Sequence, residues 1–187
     1  MRFWPTTLVL LFVVVSSATA RPAKVILLRH GEKVADEKDE SLSDRGQRRA
    51  EALASCLTTN SSLLSNGLPV ALFAPKFTRH DNVRRPYETL EPLAKSLKIA
   101  IQMPCDRKDC RGLVSTIMKD PAYDGKTVVV CWVHDYLPAM AREFGVKSKT
   151  LTWKGSVYDR FWVITFHHDH AKLANLPQHL IPGDSAD

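Results

Sequence analysis

The sequence predicts an α/β fold, a three-layer α/β/α sandwich around a mostly parallel central sheet. Two observations predict it. Short apolar runs alternate with helical stripes through residues 21–187, the order that puts parallel strands in one layer and helices on both faces. The strongest run, Thr127-Val128-Val129-Val130-Cys131-Trp132, is continuously apolar, as expected of a central strand covered on both sides.

Taken in order, residues 24–28 form the first predicted strand. A helix follows, with Ala50, Leu53, Ala54 and Leu57 at i, i+3, i+4 and i+7, and Ser43 as its N-cap. Residues 70–74 read as the second strand. The second helix carries Tyr87, Leu90, Leu93, Ala94 and Leu97 on one side, with Pro86 suited to its first turn and Pro92 a potential bend. Residues 98–101 read as a short strand and 113–119 as a short helix. After the strand over 127–132, Leu137, Met140, Ala141 and Phe144 mark a helix that Gly145 stops. Alternating aromatics over 160–166 read as a last strand, and the tail from Pro177 as loosely held.

Residues 1–20 are read apart from this domain. Arg2, the apolar run from Leu8 to Val15 and Ala18-Thr19-Ala20 have the layout of a cleaved secretory signal. The run is about half the length that crosses a bilayer. The expectation is a secreted protein with one soluble domain over 21–187. Arg2 is the one charged residue of the leader, so the remainder carries +5 of the chain's formal +6. Basic residues interleaved with aromatics would mark a nucleic-acid face; here the aromatics sit mainly in apolar runs. The charge is read as solvated surface with a basic pocket for a small anion, so neither nucleic acid nor, after leader removal, a membrane is an expected partner.

Four cysteines in a secreted chain suggest oxidation. Cys105 and Cys110 flank a short polar stretch and are the disulfide candidates. Cys56 and Cys131 either pair across the layers or stay as buried thiols. Asn60-Ser61-Ser62 is a glycosylation sequon. His167-His168-Asp169-His170 looks like a metal cluster, but neighbouring side chains after a strand point to opposite faces, so a solvated turn is the expectation.

The chemistry gathers at strand ends. Arg29-His30-Gly31 comes directly off the first strand, and Val133-His134-Asp135 off the strongest one. If those strands are parallel neighbours, both histidines share one edge of the sheet, where ligands of such folds bind. Arg84-Arg85-Pro86-Tyr87-Glu88-Thr89 opens a helix whose free N–H groups favour an anion. An imidazole can attack phosphorus, a guanidinium can hold its oxygens, and glycine lets a phosphoryl group approach the backbone. For other residues near these motifs the plainer readings are preferred. Arg84, Lys76 and Arg79 are read as solvated, Glu32 and Lys33 as a surface ion pair, and Trp153 and Tyr158 as packing residues.

These pieces, in this order, resemble the histidine phosphatase superfamily, the phosphoglycerate mutase-like fold. The matching segments are Leu28-Arg29-His30-Gly31-Glu32, Leu42-Ser43-Asp44-Arg45-Gly46, Arg85-Pro86-Tyr87-Glu88-Thr89 and His134. The resemblance implies that His30 becomes phosphorylated, that Arg29, Arg85 and His134 surround the phosphoryl oxygens, and that no metal or cofactor takes part. His30 must then be unprotonated, with a backbone carbonyl fixing its tautomer. Asp135 resembles the general acid of the acid phosphatase branch; Asp106 and Asp109 fall where the mutase-like branch keeps its acid. The implied activity is hydrolysis of small phosphomonoesters. Two rivals stand beside it: a phosphomutase on the same fold, and an anion-binding or interaction protein without activity.

Overall fold

The computed structural model describes residues 21–36, 38–167 and 170–184; the leader read over residues 1–20 lies outside them. Strand β1 (Lys24–Arg29) and strand β4 (Thr127–Trp132) are buried at every position and pair in parallel, Lys24 opposite Thr127 through Arg29 opposite Trp132. β2 (Pro69–Phe73) lies on the other side of β4, and β3 (Ile101–Gln102) forms the edge beside β2, both parallel. β5 (Arg160–His167) adds to β1 in the antiparallel sense, and β6 (His170–Pro177) closes that edge as a hairpin partner. The order is β3-β2-β4-β1-β5-β6.

Side chains alternate across this sheet because successive Cβ atoms point to opposite faces. Ile26, Leu28, Val129 and Cys131 pack with Leu53, Leu57, Leu90 and Leu93 from α1 (Asp44–Thr59) and α2 (Arg85–Leu97). Val25, Leu27, Val128 and Val130 face Leu113, Ile117, Leu137 and Met140 from α3 (Cys110–Lys119) and α4 (Leu137–Glu143). The three predicted layers are therefore present. Leu53 and Leu57 are at most 2% exposed, and each contributes roughly 2 kcal/mol by leaving water. Ser43 caps α1, its hydroxyl accepting from the Gly46 amide at 3.2 Å. Pro92 leaves α2 unbroken through Leu97.

Four expectations are corrected. The third strand is shorter than 98–101: Lys98 closes α2 in the left-handed region (φ 56°), with the Ile99 amide bonded to Ala94 O at 3.1 Å. From Pro177 to Asp184 the tail is not loose, because Gln178 and Asp184 both bond Arg49. Residues 170–177 form an eight-residue strand that was not predicted; it is an exposed edge, so it lacks the buried stripe that marks other elements. The Cys105–Cys110 disulfide is not formed. Cys105 Sγ turns to Asp109 O at 3.5 Å and Cys110 Sγ to Tyr136 O at 3.7 Å. Cys56 and Cys131 are also free thiols.

His167 and His170 pair at the β5–β6 turn, with residues 168–169 outside the described set. Asn60 is exposed at the end of α1, its side-chain oxygen accepting from Ser62 N and Leu63 N.

Candidate active site

His30 sits one residue beyond β1 and continues the ladder, its amide donating to Trp132 O at 3.2 Å. It is 2% exposed. Its ring Nδ1 lies 2.7 Å from Gly31 O. A carbonyl only accepts, so Nδ1 carries the hydrogen and Nε2 keeps the lone pair. Burial pushes the His30 pKa down to about 3; Arg29, Arg85 and His134 add to that through their charges, and the Gly31 carbonyl opposes it. Burial therefore favours the neutral imidazole, with Gly31 O selecting the tautomer that leaves Nε2 its lone pair.

Gly31 must be glycine for a contact reason. A Cβ there would come within 2.8 Å of Gly46 O, and one on Gly46 within 2.3 Å of Glu32 O. The start of α1 thus lies backbone to backbone against the segment that carries His30. Ser43 reinforces the contact: its amide donates to Glu32 O at 2.9 Å and its hydroxyl at 3.1 Å.

Arg29, 3% exposed, donates from Nη1 to Gly155 O and to Val157 O, the latter at 3.1 Å. Its guanidinium lies 3.7 Å from the centre of the Tyr158 ring, and Tyr158 also meets the His30 ring at 6.1 Å. Arg85 opens α2 and is held by Glu40 at 2.8 Å and Asp39 O at 3.2 Å. His134 follows β4, with Nε2 3.1 Å from Asp135 Oδ1. Burial lowers its pKa, Arg29 adds to that, and Asp135 opposes it. Gly155 packs against this ring; a Cβ there would lie 3.0 Å from His134 Nε2.

Three buried nitrogens of this group, Arg29 Nε, Arg85 Nε and His134 Nδ1, have no hydrogen-bond partner among the described residues. Buried donors are ordinarily satisfied. Two guanidiniums with spare N–H donors beside a neutral, oriented imidazole suit a tetrahedral oxyanion.

No protein-family model matches the sequence, and no curated protein is significantly similar to it. Solved structures do share its fold. The protein histidine phosphatase SixA complexed with tungstate is 14% identical, with a TM-score of 0.52 over 83% of this chain and 97% of that one. A protein described as the phosphohistidine phosphatase SixA of Agrobacterium tumefaciens is 16% identical, with a TM-score of 0.51 over 83% and 98%. An Escherichia coli protein described as an alpha-ribazole-5'-P phosphatase is 12% identical, with a TM-score of 0.52 over 86% and 98%. The chain shares the fold of these solved structures.

Within this fold, β1 and β4 are the parallel neighbours that the sequence reading required. The groups acting on His30 include Arg29, Arg85 and His134, so the predicted quartet is brought together. Asp135 joins it through His134, with a side chain 69% exposed. Asp106 and Asp109 serve local turns instead: Asp106 accepts from Lys108 N, and Asp109 caps α3 through Gly112 N, both at 2.8 Å. Arg84 is exposed and pairs with Glu88, as expected of a solvated residue.

Glu32, read from the sequence as one half of a surface ion pair with Lys33, is engaged by two arginines of α1. Glu32 holds Arg49 at 2.8 Å and Arg45 at 2.9 Å, because α1 packs directly beneath it. Tyr158 proves to be the stacking partner of Arg29 rather than general packing. Thr89 and Arg49 were assigned no role from the sequence. Thr89, at the fourth position after Arg85 on a helix, carried a weak local signal; Arg49 carried none.

Proposed function

We propose that the protein is a metal-independent phosphatase that hydrolyses small phosphomonoesters through a phosphohistidine on His30. The observation that carries this reading is the neutral His30 ring, held by Gly31 O so that Nε2 is the nucleophile, amid Arg29, Arg85 and His134. In the first step the Nε2 lone pair attacks phosphorus as the P–O ester bond breaks. The leaving alkoxide takes a proton from the Asp135–His134 pair, with Asp135 as the acid. Arg29 and Arg85 stabilise charge on the equatorial oxygens without reorganising, since Val157 O and Glu40 already fix them. In the second step water attacks phosphorus, the N–P bond breaks, Asp135 recovers the proton, and phosphate leaves. The tungstate complex of the SixA structure supports an oxyanion site on this fold.

Hydrolysis of 4-nitrophenyl phosphate tests this reading, with alkaline trapping of the labelled enzyme. The expected result is a phosphoryl label that is stable in base, labile in acid and lost with His30→Ala. Release of nitrophenol that survives His30→Ala would refute it. We further propose that this activity is extracellular, supported by the leader-like residues 1–20 and the exposed Asn60. N-terminal sequencing of protein from the medium of a eukaryotic host should begin near Arg21. Glycosidase treatment should then lower its mass, except for Asn60→Gln.

A further inference from the structure

A second cavity, of about 360 Å³, lies between residues 152–157 and the antiparallel edge of the sheet. Its wall is apolar: Trp153 and Trp162, with ring centroids 4.9 Å apart, and Val157. Thr152, Lys154, Arg160 and Asn175 complete it, so it has two cations and no carboxylate in its lining. Asn175 Oδ1 accepts from Arg160 Nε at 3.0 Å, which fixes the guanidinium. Arg160 Nη1 is buried and has no hydrogen-bond partner among the described residues. A buried guanidinium nitrogen without an acceptor is unfavourable, and an anionic oxygen is the acceptor that suits its fork. The volume falls within the range of small-molecule sites, which combine apolar walls with a few placed polar groups.

The cavity is distinct from the phosphate pocket. Val157 O accepts from Trp153 Nε1 at 2.9 Å and from Arg29 Nη1 at 3.1 Å, so one turn of chain serves both. Gly155 packs on His134. We propose that this cavity is a second binding site, for a small monoanion that carries a flat apolar ring, an aromatic carboxylate by class. The ring lies along the tryptophan wall, and the carboxylate meets Arg160 Nη1 with Lys154 at the rim. A phosphomonoester dianion fits less well, because beyond the two cations the lining is mainly the tryptophan and valine wall.

The test uses 2-naphthoate as probe and 2-naphthamide as its neutral counterpart. Binding to the full chain is followed by calorimetry and by tryptophan emission. The expected result is saturable one-to-one binding of 2-naphthoate, weakened about tenfold or more for the amide and for Arg160→Gln. Lys154→Gln, on the exposed rim, should weaken it a few-fold and keeps the test valid if Arg160→Gln fails to fold. Binding should be unchanged in His30→Ala and in excess phosphate, which separates this site from the phosphatase reading. Equal binding of the amide, competition by phosphate, or indifference to both variants would overturn the proposal, as would no saturable binding.

Discussion

Thr89 Oγ1 accepts a hydrogen bond from the Gly31 amide at 2.9 Å while donating to Arg85 O at 2.7 Å. Thr89 is fully buried. One hydroxyl therefore ties the peptide next to the nucleophile to the helix start that carries the second arginine. Thr89→Val keeps the volume but leaves the Gly31 N–H buried and unsatisfied, at a cost of about 1–3 kcal/mol. Turnover should fall by roughly a hundredfold as the Gly31 carbonyl loosens its hold on His30. Thr89→Ser restores both bonds and should recover most of the loss. Steady-state kinetics and denaturant melts of both variants check this, and equal activity of the Val and Ser forms would exclude the role.

The depressed pKa of His30 makes a statement about stability. Burial lowers it from 6.5 to about 3, so between those values the unfolded chain binds a proton that the folded chain does not. Stability then rises with pH across that window and is lost as pH falls from 6.5 toward 3. The full shift corresponds to roughly 5 kcal/mol as an upper bound. His30→Gln removes the titration. Denaturant unfolding at pH 7 and pH 4 should show a smaller acid loss for His30→Gln than for the wild-type chain. The same loss in both would mean that the ring accepts a proton in the folded state.

Legibility in the sequence followed the range of the interactions. β1 and β4 were readable because central parallel strands are apolar throughout, and α1 because its stripe begins after a capping serine. His30, Arg29, Arg85 and His134 were readable because each stands where an element begins or ends, and the fold aligns those ends at one edge. β6 was not, since one of its faces is exposed throughout and the other only partly covered, and β3 was overextended because nothing local showed Lys98 turning left-handed. Arg49 with Asp184 spans 135 residues, a pairing that no local pattern encodes. The cysteine pair misled because spacing in sequence does not reveal that Cys110 faces Tyr136 O.

Asp135 is exposed and rests on His134 Nε2 at 3.1 Å. An acid in that place matters in proportion to the basicity of the leaving oxygen. Asp135→Asn should cost about 10²–10⁴-fold on an alkyl phosphate. On 4-nitrophenyl phosphate, whose leaving group needs little protonation, the loss should stay within about tenfold. Comparing the two substrates with Asp106→Asn and Asp109→Asn as controls separates the candidates. Full activity of Asp135→Asn on the alkyl ester would remove it as the acid.

The buried Arg49 guanidinium gives the last prediction. It forks onto Glu32 at 2.8 and 3.0 Å and onto Asp184 at 2.6 and 3.0 Å, and reaches Gln178 at 2.9 Å. Arg49 and Asp184 side chains are 1% and 3% exposed, so solvent screens this pair little, unlike the 39%-exposed Arg45. Burial works to raise the Asp184 and Glu32 pKa values, but hydrogen bonds from Arg49 outweigh it and hold both below the ordinary carboxylate range. A carboxylate with a depressed folded pKa stabilises above its unfolded pKa, and that stability is lost as pH falls through the folded value. Asp184→Asn should therefore destabilise by roughly 2–3 kcal/mol at pH 7. The gap to the wild-type chain should narrow as pH falls through the depressed folded pKa of Asp184, because protonation then removes the charge that the variant lacks. Because Glu32 follows Gly31 directly, the same variant should lower kcat more than it raises KM, as the segment around His30 loses its anchor. A stability gap that stays constant from pH 7 until Asp184 is protonated in the folded chain would show that shape rather than charge holds the C-terminal segment in place.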